Sequence, residues 1–151
     1  MLELARDIDR EDVNRLARQV HEMHIAWRPD LFRMPDELFP EELFRELITN
    51  RELYAAKIDG TVVGFALIRK KPSDGVGRVP RKVMLIDQIC VDEAFRGHGI
   101  GSQMMEEIRI LARAFGCTDL QLGVYPQNDA AVSFYQKCGF TIRSIDMQRK
   151  V

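Results

Sequence analysis

Val83-Met-Leu-Ile-Asp-Gln-Ile-Cys-Val91, continued by Asp92-Glu-Ala-Phe-Arg96-Gly-His-Gly99-Ile-Gly101-Ser-Gln-Met-Met105, decides the reading of the fold. An apolar, β-branched run of this kind reads as a strand covered on both faces. It ends in a short acidic turn, and a glycine-dense loop follows. The next segment is an amphipathic helix with Ile100, Met104, Ile108, Leu111, Ala112 and Phe115 on one stripe. Strand, glycine loop and helix N-terminus together make an anion cradle. Glycine lets the backbone adopt positive φ and come close to a ligand, and the first helical turn offers unpaired N–H groups and the positive end of the helix dipole. A phosphate or pyrophosphate is the expected occupant.

Three glycine patterns compete for that cradle. A nucleotide-hydrolysing loop needs Gly-x-x-x-x-Gly-Lys-Ser/Thr, but Gly101 is followed by Ser102 and Gln103, and the loop holds no lysine. A dinucleotide fingerprint needs Gly-x-Gly-x-x-Gly with an acid ending the second strand. Here the spacing is Gly97-x-Gly99-x-Gly101, and the nearest acid, Asp119, begins the next strand. The third pattern fits. Arg96-Gly-His-Gly99-Ile-Gly101 resembles the Arg/Gln-x-x-Gly-x-Gly/Ala signature of the GCN5-related N-acetyltransferase (GNAT) superfamily. Its lead-in Val91-Asp-Glu-Ala-Phe95 resembles that family's Val-x-Pro-x-Tyr/Phe. Downstream, Asn128-Asp-Ala-Ala131-Val-Ser-Phe134-Tyr135-Gln-Lys-Cys-Gly139-Phe140 is similar to its Asn-x-x-Ala-x-x-Leu/Phe-Tyr-x-x-x-Gly-Phe motif. The likeness is specific over residues 83 to 150 and architectural before them.

Composition sets the outer bounds. A chain of 151 residues fits one domain, residues 1–151, with a sizeable core. A hydrophobic share of 46% and a charged share of 30% are those of an ordinary globule, and a net charge of −1 gives no general pull on nucleic acid or anionic membrane. No apolar run is long enough to cross a bilayer, and the N-terminus has no secretory pattern. Cys90, Cys117 and Cys138 are odd in number and lack C-x-x-C spacing. They read as small buried hydrophobes in a reducing cytoplasm rather than as disulfides or zinc ligands.

From the N-terminus, Leu2 to Ile8 reads as a strand. Asp9 or Asp12 caps a helix with Val13, Leu16, Ala17, Val20, Met23, His24 and Trp27 inward. His21 and His24 stand three apart on it, without a further cluster to complete a metal site, so no metal is expected. Arg28-Pro29 breaks this helix, and Pro40-Glu-Glu starts another. Leu53 to Ile58, Asp59-Gly60 and Thr61 to Ile68 spell a β-hairpin with a two-residue turn. Residues 69 to 82, rich in Arg and Lys, read as a mobile loop before the central strand. Gly116 stops the helix after the glycine loop. Asp119 to Tyr125 is a fifth strand, Asn128 caps a short helix, and Phe140-Thr-Ile-Arg143 with Ile145-Asp-Met-Gln-Arg149 reads as a closing hairpin. The predicted fold is α/β (α+β): a mixed, mostly antiparallel sheet of about seven strands, with strands four and five splayed, flanked by about four helices.

The resemblance implies direct transfer of an acetyl group from acetyl-CoA to a primary amine, with dimerisation common for the fold. It implies a pyrophosphate held by backbone N–H groups of Arg96, Gly97, His98, Gly99, Ile100, Gly101 and Ser102. The pantetheine arm would pair like an added strand with Ile89, Cys90 and Val91, with Asn128 and Ala131 on its other side. An N–H near Cys90 or Val91 would stabilise the oxyanion, and Tyr135 would protonate the leaving thiolate and also contact the arm. Some relatives carry a glutamate on strand five, where this chain has Gly123. Asp87, a carboxylate in an otherwise apolar strand, is the expected base, acting through water. Tyr125 would line the same cavity. A non-catalytic acyl-CoA-binding module would keep the loop and Asn128 yet turn over no amine, and a nucleotide-binding module would prefer ATP or NAD. The residues leave the acceptor open.

Overall fold

The computed structural model describes every residue from Met1 to Val151. The order is β1 (Leu2–Leu4), α1 (Arg10–Trp27), α2 (Glu41–Thr49), β2 (Leu53–Ile58), β3 (Thr61–Ser73), β4 (Arg81–Val91), α3 (Ile100–Ala114), β5 (Asp119–Leu122) and α4 (Asp129–Lys137). The five strands form one sheet in the order β1-β2-β3-β4-β5. The first three pairings are antiparallel, and β4 with β5 is parallel. The sheet is mixed and mostly antiparallel, as the sequence predicts.

Each face of the sheet carries its own core. Leu53, Ala55, Phe65, Leu67 and Cys90 pack with Val13, Leu16 and Ala17 of α1 and Phe44 and Leu47 of α2. On the opposite face Ala56, Val63, Ala66, Ile68, Met84 and Ile86 meet Ile100, Met104, Met105, Ile108 and Ala112 of α3. The inward stripe of α3 is therefore what the 3.6-residue spacing foretold. The Asp59-Gly60 turn has φ of 49° and 80°, the positive pair a two-residue hairpin needs.

Three expectations need correction. The sheet has five strands, not seven, because Phe140–Val151 forms no hairpin and residues 141–151 are exposed throughout. Only Ser144 separates the two segments, one residue fewer than the shortest common hairpin loop, and no Gly or Asn offers positive φ. Within residues 69 to 82 only 74–80 form a loop: β3 runs on to Ser73 and β4 begins at Arg81, so the two extend as a long hairpin, pairing Arg69 with Leu85, Lys71 with Val83 and Ser73 with Arg81. The pairing is made by backbone, so exposed basic side chains do not oppose it. Asp87 is exposed rather than buried. Its position has a backbone cause: Leu67 pairs with Gln88 while Ile68 pairs with Ile86, so Asp87 is the extra residue of a β-bulge.

Candidate active site

The bulge at Asp87 organises the site. It reverses the side-chain alternation of β4, so Met84 and Ile86 face the α3 core while Cys90 faces α1. At the same point the parallel partner departs, since the β4–β5 register ends at Ile86 with Leu122. From Asp87 to Val91 the β5-facing edge of β4 has no strand partner, although β3 still covers the other edge through Ala66–Ile89 and Gly64–Val91. The predicted splay of strands four and five is present, and Ile89, Cys90 and Val91 form its free edge.

The glycine loop hangs from the end of that edge. Asp92 opens a 3-10 turn over Glu93–Phe95 by accepting a hydrogen bond from the Ala94 N–H (3.1 Å). Arg96 Nε donates to Val91 O (3.1 Å), and His98 Nδ1 donates to the carbonyls of Arg96 (3.0 Å) and Phe95 (3.2 Å). Both side chains therefore shape the loop. Gly97 and Gly99 have φ of 81° and 78°, and Gly99 is the N-cap of α3. No side chain caps α3, so the N–H groups of its first turn, Ile100 to Ser102, face outward without a side-chain partner. Gly101 has a different reason to be glycine: a Cβ there would lie 3.2 Å from Phe134 Cζ, so it sets the close approach of α3 to α4.

α4 brings the second motif to the same place. Asn128 accepts from the Ala131 N–H (3.2 Å), capping the helix as predicted. Tyr135 is half-buried, with ring centroids 5.5 Å from Phe134 and 5.9 Å from Phe140. Burial raises its phenol above the ordinary tyrosine value, with the neighbouring Cys138 and Cys90 thiols adding to the effect. Tyr135 is thus a protonated phenol beside the free edge of β4. Burial also pushes the Cys90 thiol up to about 11, and Cys90 Sγ sits 3.6 Å from Leu16 O. At neutral pH it is a protonated packing residue, not a nucleophile.

Asp87 stands where the splay begins, its carboxylate 2.7 Å from Arg69 Nε. It is the acidic side chain that β4 contributes at the fork.

Two groups of residues that sequence reasoning did not connect complete the site. The first ties α1 to the loop. Arg15 Nη1 reaches Asp92 Oδ2 at 2.8 Å, Gln19 Nε2 donates to Asp92 Oδ1 at 3.3 Å, and Gln19 Oε1 accepts from the Glu93 N–H at 3.2 Å. Burial works to raise the Asp92 carboxyl, but Arg15, the Ala94 N–H and Gln19 overcome it and hold it below the ordinary value. Arg15→Ala leaves the buried Asp92 short of its cationic partner. It is expected to cost about 1–3 kcal/mol, read as a lower melting temperature with an unchanged circular dichroism spectrum, and no change in stability would show that α1 docks without this contact.

The second group is an aromatic cluster over the fork. His24 lies 5.9 Å from Trp27, 5.5 Å from Phe32 and 5.6 Å from Tyr125 between ring centroids, and His21 lies 5.8 Å from Phe32. Its members come from α1, the segment after it and the chain beyond β5, so no local pattern announces it. Burial, then His21, lowers the His24 pKa, so the ring is neutral at pH 7. Arg28 flanks the cluster and holds Asp30 through Nε–Oδ1 (2.9 Å) and Nη2–Oδ2 (2.8 Å), which brings the Asp30 carboxyl down to about 2. A histidine whose folded value is depressed adds stability that is complete above its unfolded value, about 6.5, and is lost as pH falls through the folded value. The melting temperature of His24→Phe is accordingly expected to fall less than that of the parent between pH 7 and 5; parallel curves would contradict this reading. No group of three or more His, Cys, Asp or Glu is arranged to hold a metal ion, and no helix is long and apolar enough to cross a membrane.

Comparison with known proteins agrees with this geometry. Residues 18–140 match the acetyltransferase (GNAT) family. Over 107 residues the chain is 36% identical to the N-alpha-acetyltransferase RimI of Mycobacterium tuberculosis, covering 70% of the chain and 63% of that protein. It is 31% identical over 83 residues to a spermine/spermidine N(1)-acetyltransferase of Bacillus subtilis, covering 54% of each. The chain thus spans less than two thirds of the length of these curated relatives. Among solved structures, a tetramutant of the BH1408 protein from Bacillus halodurans superposes with a TM-score of 0.92 at 26% identity, over 100% of this chain and 99% of that one. The aminoglycoside N-acetyltransferase AAC(6')-Iy in complex with CoA superposes with a TM-score of 0.71 over the whole of both chains, and at 17% identity this is a likeness of fold. With its forked strand pair, glycine loop and tyrosine-bearing last helix, the chain belongs to the GNAT acetyltransferase family.

Proposed function

We propose that this chain transfers the acetyl group of acetyl-CoA directly to a primary amine on a small molecule or a peptide N-terminus. The observation that carries the reading is the unpaired β4 edge, Ile89–Val91, set between the uncapped N-terminus of α3 and the raised phenol of Tyr135. A peptide-like arm has an edge to pair with, a pyrophosphate has N–H groups and a helix dipole to meet, and a leaving thiolate has an acid beside it. The CoA-bound fold relative and the relatives named as N-acetyltransferases support the same donor.

The donor supplies an activated thioester. Backbone N–H groups from Arg96 to Ser102 hold its pyrophosphate, and Ile89, Cys90 and Val91 align its arm, with Asn128 and Ala131 opposite. A main-chain N–H at Cys90 or Val91 meets the developing oxyanion, a donor fixed before reaction and worth about 3 kcal/mol. Tyr135 gives its proton to the departing sulfur. Asp87 takes the proton of the amine through water, with Arg69 fixing the carboxylate. Asp87→Asn is expected to lower kcat about 10²-fold while leaving donor affinity unchanged; an unaltered kcat would remove Asp87 from the mechanism.

Calorimetric titration with acetyl-CoA, alongside ATP and NAD, followed by an amine screen, tests the whole reading. Micromolar binding of acetyl-CoA alone and turnover of at least one amine are expected. Binding without turnover of any amine would leave an acyl-CoA-binding module, and no binding by folded protein would overturn the cradle assignment itself.

A further inference from the structure

The glycine loop has little stiffness of its own. Arg96 to Gly99 is exposed, and glycine, which accepts positive φ at no cost, accepts many other conformations as readily. The far end of the loop is fixed by α3, where Ile100 is buried and Gly101 packs against Phe134. The near end is fixed at Asp92. Its N–H donates to Val63 O of β3 (2.8 Å), its carbonyl accepts from the Phe95 N–H (2.9 Å), and its carboxylate accepts from the Ala94 N–H, Gln19 and Arg15. Gln19 differs from these other partners. Its Nε2 donates to the Asp92 carboxylate (3.3 Å) while its Oε1 accepts from the Glu93 N–H (3.2 Å). The carboxylate fixes which way the amide points, because a reversed amide would set oxygen against oxygen and N–H against N–H. No other side chain from outside residues 92–98 bonds the backbone of this turn.

We propose that Gln19 is a positioning residue for the donor: from α1 it holds the Asp92–Phe95 turn in the orientation that the cradle needs, without touching the donor itself. The role rests on acetyl-CoA being the donor. Without Gln19 the turn keeps its own Asp92–Ala94 bond and its tie to β3, so it stays folded. Glu93 is then free to swing, and the loop spends part of its time with its N–H groups turned away from the pyrophosphate. The apparent dissociation constant rises by the inverse of the competent fraction. The bound complex itself is the same as before, so the transfer step at saturation is untouched. Arg15 does not substitute for Gln19. It reaches only the carboxylate of Asp92, is 47% exposed and is shared with Asp12 at 3.3 Å. Asn14, earlier on the same helix, makes the same kind of reciprocal pair at a distance from the loop. Its Nδ2 donates to Phe39 O (3.0 Å) and its Oδ1 accepts from the Phe39 N–H (2.8 Å). Losing Asn14 therefore loosens α1 in the same way with no path to the cradle.

Calorimetric titration with coenzyme A, beside thermal melting, is the test. Gln19→Met keeps the length and helix preference of the side chain and loses both bonds; Gln19→Ala stands beside it in case one variant does not fold, and Asn14→Ala is the comparison. The Gln19 variants are expected to bind coenzyme A about tenfold more weakly, as when the competent loop is populated about one time in ten. Asn14→Ala is expected to melt at least as early and to bind with the affinity of the parent. Hydrogen exchange at 93–99 should quicken in the Gln19 variants alone. With an amine that the protein acetylates, KM for acetyl-CoA should rise by the same factor as the dissociation constant while kcat stays level. Parental affinity in a folded Gln19 variant overturns the role. An equal loss in Asn14→Ala overturns it too, since affinity would then merely follow stability. A parent that does not bind coenzyme A overturns the donor assignment together with this role, and so is told apart from both other results.

Discussion

Tyr135→Phe is expected to lower kcat about 10²- to 10⁴-fold, the contribution of a positioned proton donor, while the affinity for acetyl-CoA stays within a factor of two or so. The phenol is the group beside the free β4 edge that burial, Cys138 and Cys90 keep protonated. Because its value is raised above 10, the wild-type rate should hold level through neutral and mildly alkaline pH and fall only beyond about pH 10 on this account. The phenylalanine variant should lose that high-pH limb. The ring itself keeps its contacts with Phe134 and Phe140, so the fold and the donor site survive the substitution. Steady-state kinetics across pH, with calorimetry for the donor, separates the two effects; equal kcat in both proteins would exclude Tyr135 as the acid.

Phe44→Ala carries the largest expected loss of stability. Phe44 is 0% exposed and holds α2 against the α1-side core, next to the edge-to-face pair of Phe39 and Phe65 at 5.8 Å. Truncating a fully buried phenylalanine removes its burial and leaves a cavity, at a cost of about 3–5 kcal/mol. Against a total stability of about 5–15 kcal/mol, this corresponds to a melting temperature about 6–20 °C lower for a chain of this size. Ile110→Ala on the outer face of α3, where the side chain is 55% exposed, is the control and should move stability by no more than about 0.5 kcal/mol. Thermal melts of the two variants decide the matter; a Phe44→Ala melt within two degrees of the parent would mean the α2 layer is far softer than its packing implies.

What was legible in the sequence was what local chemistry dictates. Gly97 and Gly99 adopt the positive φ that a cradle needs, Asn128 caps α4 through Ala131 N–H, and Asp59-Gly60 makes its tight turn. Each of these is settled within four residues of chain. Features that depend on distant partners were not legible. The bulge at Asp87 is a register difference between two strands, and a continuous apolar run conceals it. Arg15 and Asp92 are 77 positions apart, and the cluster of His24, Phe32 and Tyr125 joins three segments. The basic stretch at 69–73 looked like a loop because its side chains are exposed, whereas antiparallel pairing is satisfied by main chain alone. The tail read as a hairpin because its composition favours strands, yet composition supplies neither a turn nor an edge to join.

The extra residue in β4 also constrains how this end of the molecule can vary over generations. Side chains beyond position 87 are inward or outward only because one residue is looped out of the ladder. Deleting one codon there would turn Cys90 toward α3 and bring Ile89 and Val91 round toward α1, inverting the segment proposed to align the donor. Sequence length across the bulge is therefore fixed even though Asp87 itself is exposed. Point substitutions remain open to this part of the chain; insertions and deletions of a single residue do not.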